Sequence, residues 1–277
     1  LPQACKTVGS EGQSASVELN KNPLKLGVMT YNLAKDWDIE TIIKNLGEAG
    51  YQSVELRTTH AHGIEVSLGS SERAEVKKRF EDSPLEVISL ASAFAYHHPD
   101  KDELRNSIEG TKEFILLARD VGAVGIRVFP NALPEEVPVE KTLEQIGKSL
   151  AEVCEFGYNQ GVDVRLCMHG KGTKNPSSII KILDYSQSPH VYINWNCNPE
   201  DMEGEGFEHN FNLIKNRIKS LHLHELWDEN YPYRKLFRLL SEMNFSGYCN
   251  AEIEGNPDPV RFLKYYRGLF LALQNAL

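Results

Sequence analysis

Two short segments near the end of the chain carry the side chains best suited to chemistry. Residues 220–225 read SLHLHE and residues 248–254 read YCNAEIE. In the first, His222 and His224 share one face and Leu221 and Leu223 the other. In the second, Asn250, Glu252 and Glu254 oppose Ala251 and Ile253. Imidazole beside carboxylate can move a proton or hold a divalent ion. Two more segments alternate in the same way: residues 162–169, VDVRLCMH, which contain Cys167 and His169, and residues 191–196, VYINWN, which end in Asn196. Strict alternation marks strands. Separated by helix-like stretches, these four are best explained by a parallel barrel. Its apolar faces would meet outer helices, and its polar residues would converge on the C-terminal mouth, where such barrels do their chemistry.

Other residues belong to the same mouth by position. His60 and His62 follow a second strand, and His97 and His98 a third, so they are candidate substrate contacts; ordinary surface-loop histidines are the plainer alternative. His169 lies beyond Cys167 and beside Gly170, where it can serve as base, ligand or hydrogen-bond donor. Glu55, Arg57, Arg127 and Arg165 point into the barrel by parity. Charges there must be paired, so a structural Glu–Arg lattice is expected, with Arg127 also able to reach a substrate oxygen. Trp227, Tyr231 and Tyr233 follow the strand of His222 and His224 and offer a stacking surface for a sugar. Trp195 falls on an apolar face and reads as core, and the acidic run over residues 200–205 as a solvated loop.

The elements that must position these groups follow in regular order. Residues 1–23 lack periodicity and read as a flexible leader. Strands are expected at 24–31, 52–57, 85–91, 125–129, 162–169, 191–196, 220–225 and 248–254. Helices are expected at 39–49, 71–81, 103–120, 139–160, 176–186, 207–216, 231–243 and 257–275. Asp38 is placed to start the first helix and Gly50 to end it. Strands alternating with helices imply parallel βα units, and eight of them imply closure into a (β/α)8 TIM barrel over residues 24–277.

Several of these segments also resemble the xylose isomerase-like TIM barrels, the superfamily of sugar (phosphate) isomerases and epimerases. The matching stretches are residues 50–55, GYQSVE; 117–127, LARDVGAVGIR; 220–225; and 251–254, AEIE. The resemblance implies a divalent ion held by Glu, Asp, His and Glu from strands five to eight, and carboxylates that relay a proton beside a sugar carbonyl. His222 and Glu252 match the last two ligand positions. Cys167 stands where the strand-five Glu is expected, and Asn196 where the strand-six Asp is expected. The ligand set implied is therefore Cys167, Asn196, His222 and Glu252, holding zinc or manganese, or with two carboxylates lost, no metal at all. Glu252 and His169 are the implied catalytic groups. By their place at the mouth, His60, His62, His97, Arg127, His224, Trp227 and Tyr231 are the candidate substrate contacts.

Bulk properties narrow the class. The chain has 277 residues, 41% hydrophobic and 25% charged, with a net charge of −9. That size suits one α/β barrel. The acidic balance argues against a nucleic-acid partner, and no apolar run is long enough to span a membrane. The five cysteines, Cys5, Cys154, Cys167, Cys197 and Cys249, match no zinc motif or disulfide scaffold and read as free thiols. The chain begins at Leu1 rather than Met, and Cys5 after Pro-Gln-Ala loosely resembles a lipoprotein cleavage site. The bacterial cytoplasm and export to the periplasm both stay open. A small carbohydrate is the expected partner, and a homodimer is compatible with the exposed loops and terminal helices. The expected function is isomerisation or epimerisation of a sugar or keto-sugar by proton transfer next to a carbonyl. The alternatives are a degenerate barrel that only binds carbohydrate, a lyase of oxidised glycosides and, more distantly, a metal-dependent phosphodiesterase.

Overall fold

The computed structural model describes residues 23–275, so the leader, Pro23 apart, and Cys5 lie outside the described residues. Eight parallel strands close in sequence order into a barrel. The units are β1 Lys25–Met29 and α1 Ile39–Ala49, β2 Ser53–Arg57 and α2 Ser70–Glu81, β3 Glu86–Ala95 and α3 Lys101–Val121, and β4 Gly125–Phe129 and α4 Val139–Gln160. They continue with β5 Asp163–Cys167 and α5 Pro176–Ser186, β6 Val191–Trp195 and α6 Phe207–Ile214, β7 Ile218–Leu223 and α7 Tyr233–Glu242, and β8 Tyr248–Ala251 and α8 Pro259–Asn275. β1 pairs with β8, Gly27 opposite Asn250, which closes the ring.

Local signals account for the helix ends. Asp38 Oδ1 accepts from the Thr41 amide at 2.8 Å and caps α1. Gly50 ends that helix in the left-handed region at φ 77°, a conformation that costs a residue with a Cβ. Asp100 caps α3 by accepting from the Asp102 and Glu103 amides. Strand ends differ more from expectation. β3 extends to Ala95 rather than 91, and β8 stops at Ala251, so Glu252 sits just beyond the strand. Its backbone amide still donates to Leu223 O at 2.8 Å, which fixes it beside β7.

The two faces of the sheet differ in kind. Toward the helices, Val28, Val54, Leu56, Ile126, Val128, Val164, Leu166, Ile193, Trp195, Leu221 and Leu223 are buried and join one core. Trp195 reads correctly as core, and burying a large apolar side chain contributes about 1.5–3 kcal/mol. The lumen is polar: Ser53, Glu55, Ser89, Arg127, Arg165, Asn194, Ser220, His222 and Asn250 are all buried there. Gly27 is needed at the lumen's centre, because a Cβ would lie 2.1 Å from Ser53 Oγ and 2.3 Å from Asn250 Oδ1.

The acidic run is not wholly a solvated loop. Residues Pro199–Met202 form a 3-10 turn, and Asp201 within it is fully buried. Its Oδ2 accepts from the Asn198 amide at 2.9 Å and from the Tyr231 hydroxyl at 2.6 Å. Cys154, Cys167, Cys197 and Cys249 are buried free thiols. Among the described residues, no helix is long and apolar enough to cross a membrane.

Candidate active site

At the C-terminal mouth the strand ends enclose a cavity of about 200 Å³. Tyr31, Arg57, Arg127, Cys167, His169, Asn196, His222 and Glu252 line it, with Met29 and Phe129 as its apolar part. These residues come from the ends of β1, β2, β4, β5, β6, β7 and β8 or from the residues just beyond. Parity along these strands turns the side chains toward the mouth.

The centre of the site is His222, buried between two carboxylates. Its Nε2 lies 2.9 Å from Glu55 Oε1, and its Nδ1 lies 3.0 Å from Asn196 Oδ1 and 3.2 Å from Glu252 Oε2. Each ring nitrogen therefore faces a carboxylate oxygen, so both carry hydrogens and the ring is an imidazolium. Burial alone would lower its pKa, but Glu55 and Glu252 outweigh burial and hold it well above the usual histidine range. The Cys167 thiol is hydrogen-bonded to the same ring. For Glu252, burial works upward, yet His222 and then Arg127 bring the carboxyl down to about 2. Glu55 is fully buried, and the charges of His222, Arg127 and Arg165 keep it below the ordinary carboxylate range against the effect of burial.

Arg127 completes the polar wall. Its Nη1 donates to Ser92 O at 3.1 Å, and its guanidinium lies 3.9 Å from the Phe129 ring centroid. Its Nε stands 3.9 Å from Glu55 Oε1, too far for a hydrogen bond, and is buried without a partner. The Phe129 ring also packs against His169, with centroids 4.8 Å apart. Burial, followed by the charge of Arg127, pushes the His169 pKa below its ordinary value, so its ring stays neutral near pH 7. Thr173 Oγ1 donates to His169 O at 2.8 Å and so fixes the loop that carries it.

A family model described as xylose isomerase-like TIM barrel matches residues 43–265. The chain belongs to the xylose isomerase-like TIM barrel family. No curated relative matches it. Among solved structures, it is similar to L-ribulose 3-epimerase at 15% identity and TM-score 0.76, covering 91% of this chain and 96% of that one. It is also similar to the 3-keto-D-glucoside 4-epimerase YcjR from E. coli, at 14% identity and TM-score 0.74, covering 90% and 99%. The IolI protein, solved with a bound zinc atom, is 13% identical with TM-score 0.74, covering 91% and 99%. At such identities the likeness shows the fold alone.

The donors present in this xylose isomerase-like barrel do not fit the divalent ion that the resemblance implies. Both nitrogens of His222 already face protein oxygens. Of the four inherited positions, only Glu252 supplies a carboxylate, and it is ion-paired to His222. Among the described residues, no group of three or more His, Cys, Asp or Glu side chains is arranged to hold a metal. An imidazolium between carboxylates occupies the region instead.

The remaining candidate residues divide by place. His224 lies at the mouth, its Nε2 donating to Asn196 O at 2.8 Å, and lines an adjoining cavity rather than the central one. His60 sits at the rim: its Nδ1 is 3.0 Å from Thr30 Oγ1, and its ring stacks on Tyr31 at 6.3 Å. His62 is not free for a ligand. Its Nδ1 accepts from the Ile64 amide at 3.1 Å and its Nε2 donates to Arg57 O at 2.8 Å, so it shapes the loop after β2. His97 packs on His98, with ring centroids 4.2 Å apart, away from the cavity.

The stacking surface also needs correction. Tyr231 is buried, bonded to Asp201 and to Trp195 Nε1, because the chain after β7 turns back over α6 rather than over the barrel axis. Trp227 is 71% exposed and lines a separate groove with Tyr233. The expected Glu–Arg lattice holds loosely: Arg127 faces Glu55, while Arg165 pairs with Asp163 at 3.5 Å. Tyr31, Arg57, Phe129 and Glu55 are wall or floor residues that sequence reasoning did not assign to a ligand. Their shared signal is lumen-facing parity: Arg57 and Phe129 end their strands, Tyr31 lies just beyond β1, and Glu55 sits within β2.

Proposed function

We propose that the barrel mouth binds a keto-sugar, or a glycoside oxidised to a ketone, and removes a proton from the carbon next to the carbonyl. The observation that carries this reading is that neutral His169 and the Arg127 guanidinium share one cavity with the His222 imidazolium. His169 takes the proton, and the electron pair left behind moves onto the carbonyl oxygen as an enolate. Arg127 and the His222 imidazolium offer fixed positive charge to that oxygen from buried positions, where such charge is most effective. Protonation of the same carbon from the other face by water gives an epimer, and protonation of the former carbonyl carbon, with the neighbouring hydroxyl's proton passing to the old carbonyl oxygen, gives an isomer. Departure of a group on the β-carbon instead makes the reaction a lyase reaction.

Glu252 is a poor base in this scheme, since its pKa near 2 leaves little affinity for a proton. Its part is to hold His222 charged and in place. The named activities of the two epimerase neighbours, on L-ribulose and on a 3-keto-D-glucoside, are consistent with a sugar ketone as substrate.

The test is solvent exchange. The protein is incubated in deuterium oxide with methyl 3-keto-D-glucopyranoside and with L-ribulose, and proton NMR follows the positions beside the carbonyl. Enzyme-dependent deuterium incorporation is expected, and its loss in His169→Ala. A second reading, binding without turnover, draws on the replacement of two carboxylates by Cys167 and Asn196. Binding of these ketones with no exchange would favour it and reject proton transfer.

A further inference from the structure

The central cavity does not end at His169. A second cavity of about 550 Å³ adjoins it and is lined by His169 and Asn196 as well, so the two residues are a shared wall. Beyond them it is bounded by Lys171, Lys174, Asn198, Glu200 and His224. The central cavity, at about 200 Å³, falls below the roughly 300–1,000 Å³ usual for small-molecule sites. The adjoining one falls within that range.

We propose that the substrate is a glycoside of two sugar units, with the ketone-bearing ring in the central cavity and the second ring in this outer lobe. The inference rests on the keto-sugar reading above and assigns a subsite that reading does not contain. The wall chemistry selects hydroxyl groups over an anion. Lys174 Nζ is neutralised by Glu200 Oε1 at 2.7 Å. The other carboxylate oxygen, Glu200 Oε2, is buried without a hydrogen-bond partner. The Glu200 side chain, 20% exposed where it lines the lobe, presents its carboxylate to a sugar hydroxyl and disfavours a phosphate or carboxylate. Lys171 adds an exposed donor at the rim. Paired donors and acceptors of both signs are what a polyhydroxylated ring requires, since each hydroxyl both gives and takes a hydrogen bond.

The lobe is built rather than incidental. Gly170, at φ 95°, passes so close to Asn131 that a Cβ would lie 1.7 Å from its carbonyl oxygen. Thr173 Oγ1 sits between Asn131 O and His169 O, and Ala132 bridges to Gly172. On the other side, the 3-10 turn bearing Glu200 is tied down through Asp201 to Tyr231 and through Asn198 Nδ2 to Met168 O at 2.6 Å. Both walls therefore hold their shape before a ligand arrives, which favours affinity.

Calorimetric titration tests the assignment, with methyl 3-keto-D-glucopyranoside as the one-ring probe and the 3-keto derivatives of maltose and cellobiose as two-ring probes. At least one two-ring probe should bind tenfold or more tightly than the one-ring probe. In Glu200→Ala and Lys171→Ala that ratio should fall toward one. Equal affinity for one and two rings overturns the outer subsite while leaving the keto-sugar reading intact. A two-ring advantage that survives both substitutions overturns the placement of the second ring in this lobe. Failure of every probe to bind overturns the keto-sugar reading itself, and the subsite with it.

Discussion

His222 Nε2 lies 2.9 Å from Glu55 Oε1, with both side chains almost entirely shielded from water. The contact ties β7 to β2 across the lumen, between residues far apart in sequence and not on neighbouring strands. A buried charge that loses its partner keeps its desolvation cost and gives up the compensation, a loss of about 3–5 kcal/mol. Glu55→Gln leaves His222 only Glu252 as a carboxylate partner, so a loss of up to about 3–5 kcal/mol is expected, measured by urea unfolding at pH 7. A loss under about 1 kcal/mol would mean that His222 is neutral and the contact is an ordinary hydrogen bond.

Much of this arrangement can be read from the chain, for a physical reason. Period-two alternation separates helix-facing from lumen-facing side chains, so His222, Asn196, Cys167 and Arg127 could be assigned to the lumen without a structure. Helix ends were legible because caps are local: Asp38 and Gly50 act on their own turns. What escaped was long-range. Nothing near Glu55 in sequence indicates that its partner is His222, 167 positions away. The loop after β7 misled because Tyr231 satisfies a buried carboxylate in a different loop. His62 misled because a loop histidine can bond its own backbone, which composition does not distinguish from ligand binding.

Asp201 gives a pH dependence of unusual sign for a carboxylate. Burial pushes its pKa up to about 7 from 3.8, against the pull of its bond to Tyr231. A folded-state pKa above the unfolded one means that the folded protein binds the proton more tightly. Stability from this group is present at acid pH and is lost as pH rises from about 4 to about 7. The whole effect is about 4 kcal/mol at 1.36 kcal/mol for each unit. Asp201→Asn keeps an acceptor for Tyr231 and the Asn198 amide but cannot ionise. The variant should melt higher than the parent at pH 8 and close to it at pH 4.5. Parallel melting curves across that interval would show that Asp201 is already ionised when folded.

His169 carries a kinetic prediction. Because burial and Arg127 hold its pKa below 6.5, the free base persists into mildly acid solution. Deuterium exchange into a keto-sugar should lose rate only as pH falls below 6.5. His169→Ala should lower the exchange rate by about 10²–10⁴-fold, the usual contribution of a positioned base. An unaltered rate in that variant would transfer the base role to another group.

The rebuilt ligand positions predict the protein's response to metal. A hard divalent ion such as magnesium or manganese favours several carboxylate oxygens. Here the strand-five and strand-six positions are Cys167 and Asn196, and Glu252 is engaged with a charged imidazole. Binding any ion at His222 would first require that ring to give up a proton held between two carboxylates, which weakens affinity further at neutral pH. Magnesium and manganese should therefore bind weakly or not at all, and any tight ion should be zinc-like, through a Cys167 thiolate and His222. Cys167→Glu with Asn196→Asp adds two carboxylates and should raise manganese affinity. Cys167 is fully buried, so overpacking by the larger Glu is a competing cost, to be checked by the melting temperature of the double variant. Calorimetric titration of the parent and the double variant with manganese is the measurement. Tight manganese binding by the parent, unchanged in the double variant, would mean that the ion sits elsewhere and that Cys167 and Asn196 do not occupy the ligand positions.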